Sequence, residues 1–152
     1  MVRAAVALGS NLGDRERYLR DAGAALGQAL QDLRLSTFHD TDAVGVGEQP
    51  RFLNAAATGY STLTARDLLA TLLQIERRLG RERPFAGAPR TIDLDLILYG
   101  ASIIDEPGLR VPHPRFRDRL FVLRPLAEIA ADWTDPVTGR TVGELLERAS
   151  AL

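Results

Sequence analysis

The sequence predicts an α+β fold, a ferredoxin-like βαββαβ sandwich with additional C-terminal helices. Three observations predict it. Apolar runs with β-branched or small residues recur at 2–8, 33–44, 51–62 and 89–100. Between them, 15–30 and 63–80 space their leucines at helical intervals. The resulting order is β-α-β-β-α-β followed by helical stretches, which sets helices against a sheet.

Composition narrows the functions open to such a fold. At 152 residues the chain has the length of one domain, and no repeat or linker divides 1–152. A net charge of -1 argues against a general nucleic-acid binder. The absence of cysteine excludes disulfides, thiolate catalysis and cysteine zinc sites. No apolar run reaches membrane-spanning length and the start does not read as a signal peptide, so a cytoplasmic protein is expected. No apolar surface stripe demands a partner, so a monomer is expected. All 19 basic residues are arginine. Phosphate chemistry here must therefore use arginine forks, metal and backbone amides rather than a P-loop lysine.

Taken in order, VRAAVAL (2–8) reads as a strand, and Gly9 to Asp14 as a turn leading into the helix at 15–30. That turn either caps the helix or holds a phosphate at its N-terminus. The second strand is 33–44, with Leu35 and Phe38 apolar; 45–50 is loop by its glycines and proline. In the third strand, Asn54 is the polar member of an apolar run. It can cap a neighbour or read the edge of a flat polar ligand. The second helix has Thr64 as N-cap, Asp67 as an acidic capping-box partner and Gly80 as C-cap. Arg77 and Arg78 complement the helix dipole. Arg81, Arg83 and Arg90 lie on the following loop and suit a phosphate clamp. After the fourth strand, 102–105 reads as a short partner strand and 109–116 as a proline-bracketed loop holding His113. That ring either hydrogen-bonds a phosphate or is a solvated or core-capping ring; His39 is assigned no function. A helix at 121–131, interrupted near Pro125, and a short helix at 142–151 close the chain.

The chemistry centres on PRTIDLDLILYG (89–100). Alternation along a strand puts Asp93 and Asp95 on one face, about 7 Å apart at their α-carbons, and turns Leu94 and Leu96 toward a core. Two neighbouring carboxylates on a half-buried strand repel each other and are costly to desolvate, and magnesium would relieve both costs. A solvent-facing acidic strand is the plainer alternative. Arg90 beside the pair adds an anion ligand and favours a bound phosphate ester.

These segments resemble a known family. GSNL (9–12), FLNAA (52–56), IExxLGRxR (75–83), PRTIDLDLILYG and VPHPR (111–115) occur in order. Over about residues 3–130 they resemble the 6-hydroxymethyl-7,8-dihydropterin pyrophosphokinases of folate biosynthesis. The resemblance implies transfer of the β,γ-pyrophosphoryl group of ATP to the pterin's hydroxymethyl oxygen, releasing AMP. It implies that Asp93 and Asp95 hold two Mg2+ ions. Arg81, Arg83 and Arg90 match the family's phosphate-binding arginines and His113 its phosphate-binding histidine. Glu76, Leu96 and Arg119 are placed near the nucleotide. For the pterin it implies Asn54 between the stacking rings of Phe52 and Phe121, with Thr41, Val44 and Asp93 lining the site.

The sequence also departs from the family pattern. Gly87 stands where some members carry a loop tryptophan, with Phe85 as a possible substitute, and Leu73 stands where some carry glutamine. Residues 42–50 lack prolines found in relatives. These differences bear on lid closure and rate rather than on reaction type. The competing expectations are a binding module for RNA or a regulatory nucleotide, an inactive relative, and a two-metal nucleotide hydrolase.

Overall fold

The computed structural model describes residues 1–42, 50–80 and 91–151. Its elements run β1 (Val2–Ser10), α1 (Arg15–Ala29), β2 (Gln31–Leu35), β3 (His39–Thr41), β4 (Phe52–Ser61), α2 (Ala65–Arg78) and β5 (Asp93–Tyr99). Then follow β6 (Ile104–Glu106), β7 (Leu109–Val111), a 3-10 turn (Phe116–Asp118), α3 (Leu120–Ala130) and α4 (Val142–Ser150). The main sheet has the order β2-β4-β1-β5, and β3 also pairs with β4; all its pairings are antiparallel. It is an α+β arrangement with an antiparallel sheet, as the sequence predicts.

The sheet buries both faces. Ala4, Val6 and Leu8 of β1 pack with Leu19 and Leu26 of α1 and Leu68, Leu72 and Ile75 of α2. On the other face, Ala5 and Ala56 meet Val122, Leu123 and Leu126 of α3 and Leu145 of α4. Alanines at 4, 5, 55, 56 and 57 are almost wholly buried, which lets helices close on the central strands from both sides. Gly59 serves the same closeness: a Cβ there would stand 2.7 Å from Leu30 Cβ and 3.0 Å from the Gln31 carbonyl oxygen.

The helix ends follow local chemistry. Asp14 caps α1 by accepting the Arg17 N–H at 3.2 Å, and Thr64 caps α2 by accepting the Asp67 N–H at 3.1 Å. The C-cap of α2 is Leu79 rather than Gly80; the glycine comes next, at φ +80. A full capping box joins Thr141 and Glu144 at the start of α4.

Several expectations need correction. Gly9 and Ser10 belong to β1, not to a turn. The strand expected at 33–44 is two strands, β2 and β3. Between them the Ser36 hydroxyl, not a peptide carbonyl, accepts the Ala56 N–H at 2.8 Å and so replaces a ladder bond. The short strand after β5 does not pair with it. It forms a separate hairpin, β6-β7, with residues expected to be loop. Pro125 does not interrupt α3, which runs through it. No helix among the described residues is long and apolar enough to cross a membrane.

Candidate active site

The acidic strand lies at one edge of the sheet. Leu94 and Leu96 are buried toward α1 and α2, so Asp93 and Asp95, both half-buried, face the side of α3. The registers place Asp93 opposite Gly9, Gly9 opposite Asn54, and Asn54 opposite His39. One row of positions therefore crosses four strands. With strands about 4.8 Å apart, Asp93 and Asn54 are separated by roughly 10 Å of backbone that carries no side chain at Gly9.

That opening is tight at its Asn54 end. A Cβ on Gly9 would stand 3.3 Å from Asn54 Oδ1 and 3.6 Å from a ring carbon of Phe52. Asn54 is 4% exposed, and its Nδ2 donates to Thr41 Oγ1 at 2.6 Å. This bond fixes the amide's orientation and is the neighbour contact expected as one of its two roles. Phe52 begins β4 in register with Thr41. Phe121, in the first turn of α3, packs half-buried against the core on this same face, and the Arg119 guanidinium lies 5.4 Å from its ring centroid. Gly9 was not expected at the site; the clue available in the sequence was a glycine at the end of an apolar run.

The free edge of β5 forms the other half. Glu76, buried on α2, accepts the Leu94 N–H through Oε2 at 2.7 Å. Strand alternation then turns the Leu96 peptide toward the same open edge. At the β5 bulge, the Ile97 carbonyl accepts the His113 N–H at 2.9 Å. A cleft of about 390 Å³ opens here, lined by Leu94, Asp95, Leu96, Leu109, Arg110 and His113 among others. A larger depression of about 510 Å³ lies by the start of α1, bounded by Phe38 and Leu53, but no residue of the acidic strand lines it.

His113 is set up as a neutral donor. Its Nδ1 accepts the Arg115 N–H at 3.2 Å, which leaves the neutral ring's proton on Nε2. Burial, aided by the Arg119 and Arg115 guanidiniums, lowers its pKa from the ordinary 6.5, against an opposing pull from Asp93. The neutral ring is thus favoured near pH 7.

Among the described residues, no cluster of three or more His, Cys, Asp or Glu side chains could cage a metal. Asp93 and Asp95 fit a magnesium ion that draws its remaining ligands from water and phosphate, which is how this ion is commonly bound. Arg81, Arg83, Arg90 and Val44 lie outside the described residues, as do Phe85 and Gly87.

Carboxylates, a buried amide and an imidazole thus lie toward one end of an α+β sheet, an arrangement chemically suited to an enzyme acting on a charged small molecule. The chain belongs to the 7,8-dihydro-6-hydroxymethylpterin-pyrophosphokinase (HPPK) family, whose family model matches residues 5–131. It is 48% identical over 126 residues to a 2-amino-4-hydroxy-6-hydroxymethyldihydropteridine pyrophosphokinase of Bacillus subtilis, covering 82% of this chain and 75% of the relative. An enzyme of the same name from Pseudomonas aeruginosa is 42% identical over 147 residues, covering 95% and 90%. Among solved structures, Plasmodium falciparum HPPK-DHPS matches with a TM-score of 0.78 at 14% identity, over 99% of this chain. The chain spans 44% of that protein, and the match at this identity speaks to the fold alone.

Proposed function

We propose that this chain carries out its family's reaction at the end of the sheet where Asp93, Gly9 and Asn54 share a row. The reaction transfers the β,γ-pyrophosphoryl group of ATP to the hydroxymethyl oxygen of 6-hydroxymethyl-7,8-dihydropterin. It yields the pterin diphosphate and AMP, a step of folate biosynthesis. The observation that carries the assignment of residues is the bare Gly9 position between a carboxylate and a buried amide.

The pterin ring lies over Gly9 between Phe52 and Phe121, whose faces stack on it. Asn54, held by Thr41, reads the ring's polar edge, and Val44 adds to the lining. This points the hydroxymethyl arm toward Asp93. The nucleotide base sits at the free edge of β5, where the Leu96 peptide is open. Glu76 supports the nucleotide indirectly, by holding the Leu94 peptide. The triphosphate then runs past Asp95 and His113, with Arg119 close by and Arg81, Arg83 and Arg90 as its clamp. His113 donates Nε2–H to a phosphate oxygen.

The acceptor hydroxyl releases its proton to solvent and its oxygen bonds to the β-phosphorus as the bond from that phosphorus to the α,β-bridging oxygen breaks, and AMP leaves. Asp93 and Asp95 would hold two Mg2+ ions, which neutralise charge on attacking and leaving oxygens. The chain's own residues contribute mainly alignment, the larger part of catalysis in phosphoryl transfer. We read the fold as a ferredoxin-like sandwich extended by α3 and α4, a single domain over 1–152, acting as a cytoplasmic monomer.

Product analysis tests the reading. ATP, Mg2+ and the pterin should give AMP one-for-one with a diphosphorylated pterin, and only when both substrates are present. ADP, or nucleotide loss without pterin, would instead indicate a hydrolase.

A further inference from the structure

Glu128, near the C-terminal end of α3, belongs to no part of the site described so far. Its carboxylate accepts the Thr37 N–H at 3.0 Å and the Thr37 hydroxyl at 2.8 and 2.6 Å. Its Oε2 also lies 3.3 Å from His39 Nε2. Thr37 is 91 residues away along the chain, so these contacts fasten α3 to the sheet. Burial raises the Glu128 pKa, but the bonds from Thr37 and His39 outweigh it and hold the carboxyl below its ordinary 4.5. The clasp therefore engages a carboxylate at neutral pH.

What the clasp joins matters more than its strength. Thr37 lies in the link between β2 and β3, and His39 stands opposite Asn54 in the row that crosses the sheet. The same short strand carries Thr41, which holds the Asn54 amide. On α3, Glu128 follows Phe121 by seven residues. At 3.6 residues per turn the two side chains leave the helix within about 20° of the same line, roughly 10 Å apart along the axis. One stripe of α3 thus presents a candidate stacking ring at one end and the clasp at the other. Both the amide and the ring are referred to β3.

We propose that Glu128 is a positioning residue: it sets the gap between α3 and strands β3 and β4, and so the width of the slot in which Phe52 and Phe121 hold the flat pterin ring. This inference rests on the pyrophosphokinase reading. Contact energy between stacked faces is lost steeply with separation, so a slot widened by 0.5–1 Å forfeits roughly a quarter to a half of it. A contact that merely stabilised the fold would have no such selectivity.

The test is calorimetric titration of 6-hydroxymethylpterin and, separately, of a non-hydrolysable ATP analogue with Mg2+. The proteins compared are the wild type, Glu128→Ala, Glu128→Gln and Thr37→Val. Glu128→Ala should weaken pterin binding about tenfold and leave nucleotide binding unchanged. Glu128→Gln retains an oxygen that accepts from Thr37 and should recover most of the affinity. Pterin binding by Glu128→Ala as tight as wild type would overturn the proposal. So would loss of pterin and nucleotide affinity in parallel with thermal stability. Should Glu128→Ala fail to fold, Thr37→Val removes only the hydroxyl bonds, and its unchanged pterin affinity would overturn the proposal equally. A wild-type protein that binds nucleotide but, even with nucleotide bound, no pterin would instead sink the pyrophosphokinase reading itself.

Discussion

Asp135 and the Asp93/Asp95 pair are carboxylates that the fold places in different surroundings. Asp135, in the turn between α3 and α4, is fully buried. Its oxygens accept from Arg117 Nε at 2.5 Å, Arg117 Nη2 at 2.9 Å, the Val137 N–H at 3.0 Å and the Thr138 hydroxyl at 2.7 Å. Burial raises its pKa, and these bonds more than reverse the effect, leaving it below the ordinary 3.8. Asp93 and Asp95 are half-buried on a sheet face, and Asp95 borders an open cleft. A carboxylate whose oxygens are satisfied inside the chain serves stability. Asp95, at the border of a cleft, also stands where a ligand can reach it.

The contrast breaks most readily at the cleft. Asp93→Ala or Asp95→Ala should lower turnover at least about a thousandfold, measured as AMP release, because transition-state charge loses its support. The melting temperature without ligand should barely move. Near-native turnover in either variant would remove the distinction between the two places.

The reciprocal change is Asp135→Ala. It strands a partly buried guanidinium and should cost about 3 kcal/mol, or roughly 6–12 °C in melting temperature for a chain of this size. The KM values of the folded protein should hold. Because the folded-state pKa of Asp135 is depressed, its contribution is present above pH 3.8 and is lost as pH falls through the lower folded value. Acid unfolding of wild type and variant should therefore converge at low pH.

A gentler probe is Gly9→Ala, which fills the bare position in the row. Pterin affinity should fall about tenfold while nucleotide affinity stays the same. Weaker binding of both ligands would place Gly9 outside the slot. The smallest effect concerns His113. Its folded pKa lies below 6.5, so the stability of its neutral form is present above pH 6.5 and is lost as pH falls through the folded value. Denaturation of wild type and His113→Gln between about pH 7 and pH 5 should show a shallower decline in the variant. Equal slopes would mean that His113 titrates alike in folded and unfolded chains.

Much of the frame was legible in the sequence because it follows from short-range chemistry. Period-two alternation correctly turned Leu94 and Leu96 inward and the aspartates outward, and the leucine spacing of α1 and α2 located both helices. Contacts made by distant residues escaped local reading. Ser36 ends β2 by bonding a peptide of β4, and nothing near Ser36 announces that partner. Gly9 looks like any glycine before a turn; its need for a missing Cβ comes from Asn54 and Phe52, which follow much later in the chain. For Glu76 the resemblance implied a place near the nucleotide, but its bond to the Leu94 N–H of β5 is visible only in the folded chain. The expected pterin residues Thr41, Phe52 and Asn54 do come together on adjacent strands. The hairpin of β6 and β7 was misread because two three-residue strands are too short for alternation to declare itself.

The outer edge of β5 has a further consequence. An edge strand offers its unpaired peptide groups to any passing chain, and proteins with a bare edge tend to stack through it. Here, among the described residues, Glu76 occupies one such group and the His113 peptide another. Two contacts that fasten β5 to its neighbours thus also cover part of the edge that another strand would need.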